Sequence, residues 1–160
     1  MDTPRNLKRT YGQYLSDNVN SFNTVNNIGA TDERPQILAW ISPLESWKRH
    51  HDVSNVRVKG VGEWVLETAE FQAWRDGGDE RPVDKTLFGC GTPGAGKTFI
   101  CSLVVDSLCN SVVDSNVKVA CIYCDYREQK EQVPAAMIGG LLRQFVAGLP
   151  VIPDDIIRAF

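Results

Sequence analysis

Eight consecutive residues carry the clearest chemistry in the chain: Gly91, Thr92, Pro93, Gly94, Ala95, Gly96, Lys97 and Thr98. They satisfy the pattern GxxxxGK(S/T), a glycine loop whose backbone cradles phosphates. Glycine permits positive φ and lets the backbone come close to a ligand. The loop N–H groups then converge on a β-phosphate at the positive end of a helix that begins near Lys97. The Lys97 ammonium reaches the β- and γ-phosphates, and the Thr98 hydroxyl supplies one ligand to Mg2+. The expected ligand is a nucleotide. The bland alternative is a glycine-rich turn that binds nothing.

A loop of this kind that also hydrolyses its nucleotide needs a second acid, at the end of a neighbouring strand, to hold the metal's water shell. Asp125 is the one candidate after an apolar run, Val119-Ala-Cys-Ile-Tyr-Cys124. It reads equally as a strand-end aspartate capping the next turn, and both readings stay open. Cys121 and Cys124 have CxxC spacing, but residues three apart on a strand face opposite sides. With no second Cys or His pair that completes a metal site, the five cysteines read as core residues in a reducing compartment. The run Lys48-Arg49-His50-His51 lacks acidic or thiol partners at fixed spacing and reads as a solvated face.

Elements must position this loop. From Lys85 the pattern alternates: a short apolar run TLFGC, the glycine loop, a helix with Ile100, Leu103, Val104 and Leu108 on one face, a turn over 110–116, and an apolar strand VKVACIYCD. A further helix opens with Pro134 and carries Met137, Ile138, Leu141, Leu142, Phe145, Val146 and Leu149 at helical spacing, with Pro150 ending it. Alternating strand and helix predicts an α/β architecture, a partial three-layer αβα P-loop NTPase fold with a parallel sheet. Such a partial sheet would leave an apolar edge open to a protein partner or to self-association.

Before the loop, residues 35–84 read as a helical segment. Pro43 ends a first helix, EWVLE forms a second piece, and Thr68 caps TAEFQAWRD, with Trp64, Phe71 and Trp74 as an aromatic cluster. GGDERPVDK reads as a linker. Residues 1–34 are rich in Asn, Ser and Thr without apolar period and read as a flexible tail. The division is therefore 1–34 tail, 35–84 helical segment and 85–160 P-loop core.

Composition bounds the rest. The 160 residues are 42% hydrophobic and 23% charged, with net charge −3, which suits one globular domain with a tail. An acidic balance argues against non-specific nucleic-acid binding. No stretch is long and apolar enough to span a membrane or act as a secretory signal, so the expected place is the cytoplasm.

Three segments together resemble a known family: LAWISPLESWKRHHDV, GVGEWVLETAEFQAWRD and GTPGAGKTFICSLVVDSL. They are similar to fungal NACHT-type proteins with a nephrocystin-like N-terminal P-loop domain, which belong to the STAND NTPases. The glycine loop alone would fit many families, whereas the GxGEWxLE(S/T)xEFxxW segment before it is far more specific. The resemblance covers roughly residues 37–149. It implies ATP or ADP binding by Gly91, Gly94, Gly96, Lys97 and Thr98, with residues 61–66 near the base. The family's acidic strand would come after Leu149. By that comparison Asp125 is not the hydrolytic acid, and the chain looks like the front part of a NACHT module.

Three functions follow. The first is an ATP-binding, nucleotide-dependent switch with little hydrolysis. The second is a compact P-loop NTPase or kinase using Asp125, for which the sequence offers neither an arginine-rich lid nor a guanine-reading motif. The third is a decoy or interaction module with a vestigial loop.

Overall fold

The computed structural model describes residues 33–77, 86–112 and 117–160. The expected tail up to residue 32 and the expected linker over 78–85 lie outside the described residues, as do residues 113–116 of the expected turn. Six α-helices are described: α1 Arg34–Ile41, α2 Ser46–Asn55, α3 Ala69–Asp76, α4 Lys97–Ser111, α5 Pro134–Ala147 and α6 Asp154–Ala159. A 3-10 helix, Glu63–Glu67, precedes α3, and a 3-10 turn, Tyr126–Glu128, follows Asp125.

Local chemistry explains several boundaries. Pro35 sits in the first turn of α1, and the chain leaves the helix before Pro43. The Thr68 hydroxyl accepts from the Phe71 amide at 3.3 Å and starts α3. Pro134 sits in the first turn of α5. Helix α4 runs through Asn110 and Ser111, which the sequence pattern assigned to a turn.

The expected αβα fold is not found. Among the described residues there is no strand and no sheet: 86–92 and 117–125 form neither helix nor strand. Apolar composition made both runs read as buried strands, but a strand also needs a ladder partner for its backbone groups. The second run satisfies some of those groups with side-chain amides. Gln144 on α5 accepts from the Cys121 N–H at 3.0 Å and donates to the Cys121 carbonyl at 2.9 Å. Gln132 accepts from the Asp125 N–H at 2.9 Å. The first run is open to solvent, with Phe88 82% exposed. With no sheet described, the expected open sheet edge has no structural basis.

Two small cores hold the helices. Ile37, Val146 and Ile152 join α1 and α5 to the segment before α6, with Leu38, Ile41 and Ile156 around them. Val105, Cys109 and Cys121 join α4 to the 117–125 run, with Trp47, Val119 and Tyr123 packed on them. The α1–α5 approach is close because α5 carries glycines there. A Cβ on Gly139 would fall 2.5 Å from the Ile41 carbonyl oxygen. The buried Ser42 hydroxyl donates to the Ala136 carbonyl at 2.8 Å, and Arg143 donates to the Ser42 carbonyl at 2.7 Å. Arg34 donates to the carbonyls of Val146 and Ala147, both at 3.3 Å, placing a cation at the negative end of α5.

The buried faces differ from the expected ones. On α4 the buried residues are Ser102, Val105 and Cys109. On α5 they are Gly140, Gln144 and the expected Val146; Met137 and Leu141 are half-buried, while Ile138, Leu142, Phe145 and the following Leu149 are exposed. Trp64 is 65% exposed, whereas Phe71 is fully buried with its ring centroid 6.0 Å from that of Trp74.

Candidate functional site

The glycine loop leads directly into α4. Gly94 and Gly96 have φ of +83° and +86°, the left-handed region that favours glycine. Ala95 N–H donates to the Thr92 carbonyl at 3.2 Å, closing the turn. A Cβ added at Gly94 or Gly96 would meet no atom within 4 Å, so their conformation, not crowding, requires glycine. The Lys97 ammonium folds over the loop and donates to the carbonyls of Gly91 at 2.8 Å and Thr92 at 2.9 Å. Gly91, Thr92, Pro93, Gly94, Ala95, Lys97 and Thr98 are exposed and Gly96 is half-buried, so the loop is open to a ligand.

Lys97 and Thr98 line an open cleft of about 240 Å3 with Arg49, Cys101, Ile122, Tyr123 and Cys124. The eight predicted residues thus form one surface, and two of them face the cleft. Upstream, Gly62 has φ of +87°, and a Cβ there would fall 2.6 Å from Ile100 Cδ1. The 61–66 segment therefore packs against α4 just after the loop, through a glycine that its left-handed backbone conformation requires.

A nucleotide fits this donor set. The ammonium already bridges carbonyl oxygens at the place where the loop would hold phosphate, and exchanging those acceptors for anionic oxygens strengthens its hydrogen bonds. For Mg2+ the chain offers Thr98. Among the described residues no group of three or more His, Cys, Asp or Glu is arranged to hold a metal, so phosphate oxygens would have to supply much of the coordination.

Asp125 borders this region but is fully engaged. One carboxylate oxygen accepts from Arg127 Nε at 2.9 Å and the Arg127 amide at 3.0 Å. The other accepts from Arg127 Nη2 at 2.5 Å and lies 3.5 Å from Arg49. The hydrogen bonds from Arg127 hold the carboxyl well below the usual carboxylate range. This is the capping role that the sequence left open: Asp125 starts the 3-10 turn.

Behind the cleft runs a polar network. His50 Nε2 lies 2.9 Å from Asp106 Oδ1, and its Nδ1 lies 2.8 Å from the Tyr123 hydroxyl. Arg57 donates to Asp106 at 2.7 Å and to the Ser102 hydroxyl at 2.6 Å. If Nε2 carries the proton toward the Asp106 carboxylate, Nδ1 accepts from Tyr123 and every partner is satisfied. His50 is only 5% exposed, so part of the basic run is not the solvated face expected of it. The signal was present as Ser46, His50 and Val53 at i, i+4 and i+7, one face of a helix.

The cysteines also divide. Cys109 and Cys121 are buried, and Cys90, Cys101 and Cys124 are exposed, so only two are core residues. Burial pushes the Cys121 thiol up to about 12 and Cys109 up to about 11, which keeps both protonated and inert.

The comparisons with known proteins bear on the same span. A family model described as Nephrocystin 3, N-terminal, matches residues 60–160, which include the glycine loop, α4 and α5. The chain belongs to this family. Vegetative incompatibility protein HET-E-1 of Podospora anserina is a similar protein, 28% identical over 133 residues. That alignment covers 83% of this chain and 9% of the relative, so the chain spans less than a tenth of the relative's length. The resemblance read from the GVGEWVLETAEFQAWRD and glycine-loop segments is borne out. No solved structure matches this nephrocystin 3 N-terminal chain. No described helix is long and apolar enough to cross a membrane.

Proposed function

We propose that this chain binds ATP or ADP with Mg2+ through residues 91–98, as the nucleotide-binding front part of a NACHT-type signalling NTPase, and turns over little on its own. The observation that carries the reading is the Lys97 ammonium held on the Gly91 and Thr92 carbonyls, above two positive-φ glycines at the start of a 15-residue helix. Loop amides and helix N-terminus supply the β-phosphate site. Lys97 supplies a mobile cation and Thr98 a hydroxyl for the metal. The family membership and the similarity to a fungal incompatibility protein support a signalling setting.

Weak turnover follows from what surrounds the cleft. Phosphoryl transfer relies on a metal held from two sides and an oriented water. Asp125, the candidate acid after the apolar run, is spent on Arg127 and on its turn, and the residues that line the cleft include no carboxylate. The site therefore serves to hold a nucleotide, and its occupancy is the signal. Protein partners or a second copy would read that occupancy.

The test combines equilibrium titration with Mg·ATP and Mg·ADP and single-turnover phosphate release. Binding of both, with phosphate release no faster than in Lys97→Ala, is expected. Clear release in the wild type that disappears in Asp125→Asn would replace this reading with a compact NTPase.

A further inference from the structure

The cleft has a cationic wall that the glycine-loop motif does not contain. Arg49 lies on α2, outside the 60–160 span that the family model matches, yet it lines the cleft with Lys97 and Thr98. Its position is set by its neighbours on the same helix. His50 is tied to Asp106 on α4 and to Tyr123, and Trp47 packs on the core of Val105, Cys109 and Cys121. Helix α2 is therefore fastened to the helix that the glycine loop begins, and Arg49 is carried to the lining of the same cleft.

The surroundings of Arg49 leave it available. Among the described residues its guanidinium has one acceptor, the Asp125 carboxylate at 3.5 Å, longer than a hydrogen bond. That carboxylate already takes two side-chain hydrogen bonds and one amide from Arg127. Arg127 thus neutralises Asp125, and Arg49 is a surplus cation, 45% exposed, at the cleft. The lining holds two cations, Arg49 and Lys97, and no acid, which favours an anion entering it. A guanidinium offers a planar fork that matches paired phosphate oxygens.

We propose that Arg49 is a phosphate-contacting residue of this site and sets its preference for a nucleoside triphosphate over a diphosphate. This rests on the nucleotide reading above. The loop amides and the α4 N-terminus match a diphosphate, and Lys97 reaches the β- and γ-phosphates from one side only. A triphosphate brings further negative charge, and Arg49, paired with Asp125 only at 3.5 Å, meets it by leaving that carboxylate.

The experiment titrates the full chain with Mg·ADP and with a Mg-bound non-hydrolysable ATP analogue. Wild type, Arg49→Ala, Arg49→Gln and Lys97→Ala are compared, with thermal melts alongside. Arg49→Gln keeps most of the side-chain stem and guards against a folding defect in Arg49→Ala. Both Arg49 variants should lose about ten- to a hundredfold in triphosphate affinity, and clearly less for the diphosphate. Equal losses for the two ligands would overturn the proposal, because a merely structural role moves both alike. Unchanged binding in the Arg49 variants, while Lys97→Ala weakens it, would overturn the proposal and leave the nucleotide reading standing. Measurable wild-type binding unchanged in Lys97→Ala would remove both.

Discussion

At the scale of single residues, the glycine loop was legible because its chemistry is local: positive φ, a lysine and a hydroxyl at fixed spacing. Arg49 and His50 were not, because their roles depend on what α2 packs against, and neighbouring residues of one sequence run go to opposite environments. Asp106 shows what such packing does to charge. Burial raises its pKa, hydrogen bonds from His50 and Arg57 lower it, and the net lies below the ordinary value. A carboxyl with a depressed folded-state pKa stabilises the fold above its unfolded value of about 3.9, and the contribution is lost as pH falls through the folded value. Asp106→Asn should cost about 1–2 kcal/mol near neutral pH, the lower part of the range for a charged hydrogen bond because the carboxylate is partly solvated. In denaturant titrations the difference from wild type should narrow below about pH 4. A difference that stays constant to about pH 3 would show that the Asp106 charge is not what stabilises the network.

At the scale of elements, helix positions were legible and faces were not. Proline and the Thr68 cap mark helix starts through local backbone chemistry, which no tertiary contact overrides here. The apolar stripe of α5 invited a core assignment, yet α5 docks through Gly139, Gly140 and Gln144. Small residues allow close approach, and that geometry decided the face. The same helix explains the missing strand, since Gln144 takes the place of a neighbouring strand at Cys121. Gln144→Leu should therefore be more damaging than its volume suggests. It leaves a buried N–H and carbonyl unpaired, at about 1–3 kcal/mol each. Thermal unfolding checks this, and a variant as stable as wild type would show that the Cys121 backbone has other partners.

At the scale of the whole molecule, the described residues expose more apolar surface than packing in two small cores would suggest. Ile138 is 69% exposed, and Leu142 and Phe145, at i+4 and i+7, are exposed on the same face of α5. A contiguous patch of this kind binds hydrophobic dyes and favours association. The protein should bind such a dye in its native state, and Ile138→Glu combined with Leu142→Glu should reduce the signal without weakening nucleotide binding. Dye binding unaffected by the pair would place the accessible apolar surface elsewhere. The αβα expectation failed at this scale because strand-like composition does not supply a ladder partner. The family was legible because the segment around Gly62 and Trp64 is long and specific.

The central claim is that residues 91–98 hold a nucleotide, and calorimetric titration of Mg·ATP into wild type and Lys97→Ala tests it most directly. Among the described residues Lys97 donates to the Gly91 and Thr92 carbonyls of its own loop, so the substitution should leave the thermal midpoint nearly unchanged. It should lower affinity about ten- to a hundredfold through one lost charge-assisted phosphate contact. Saturable wild-type binding that Lys97→Ala retains in full would contradict the account.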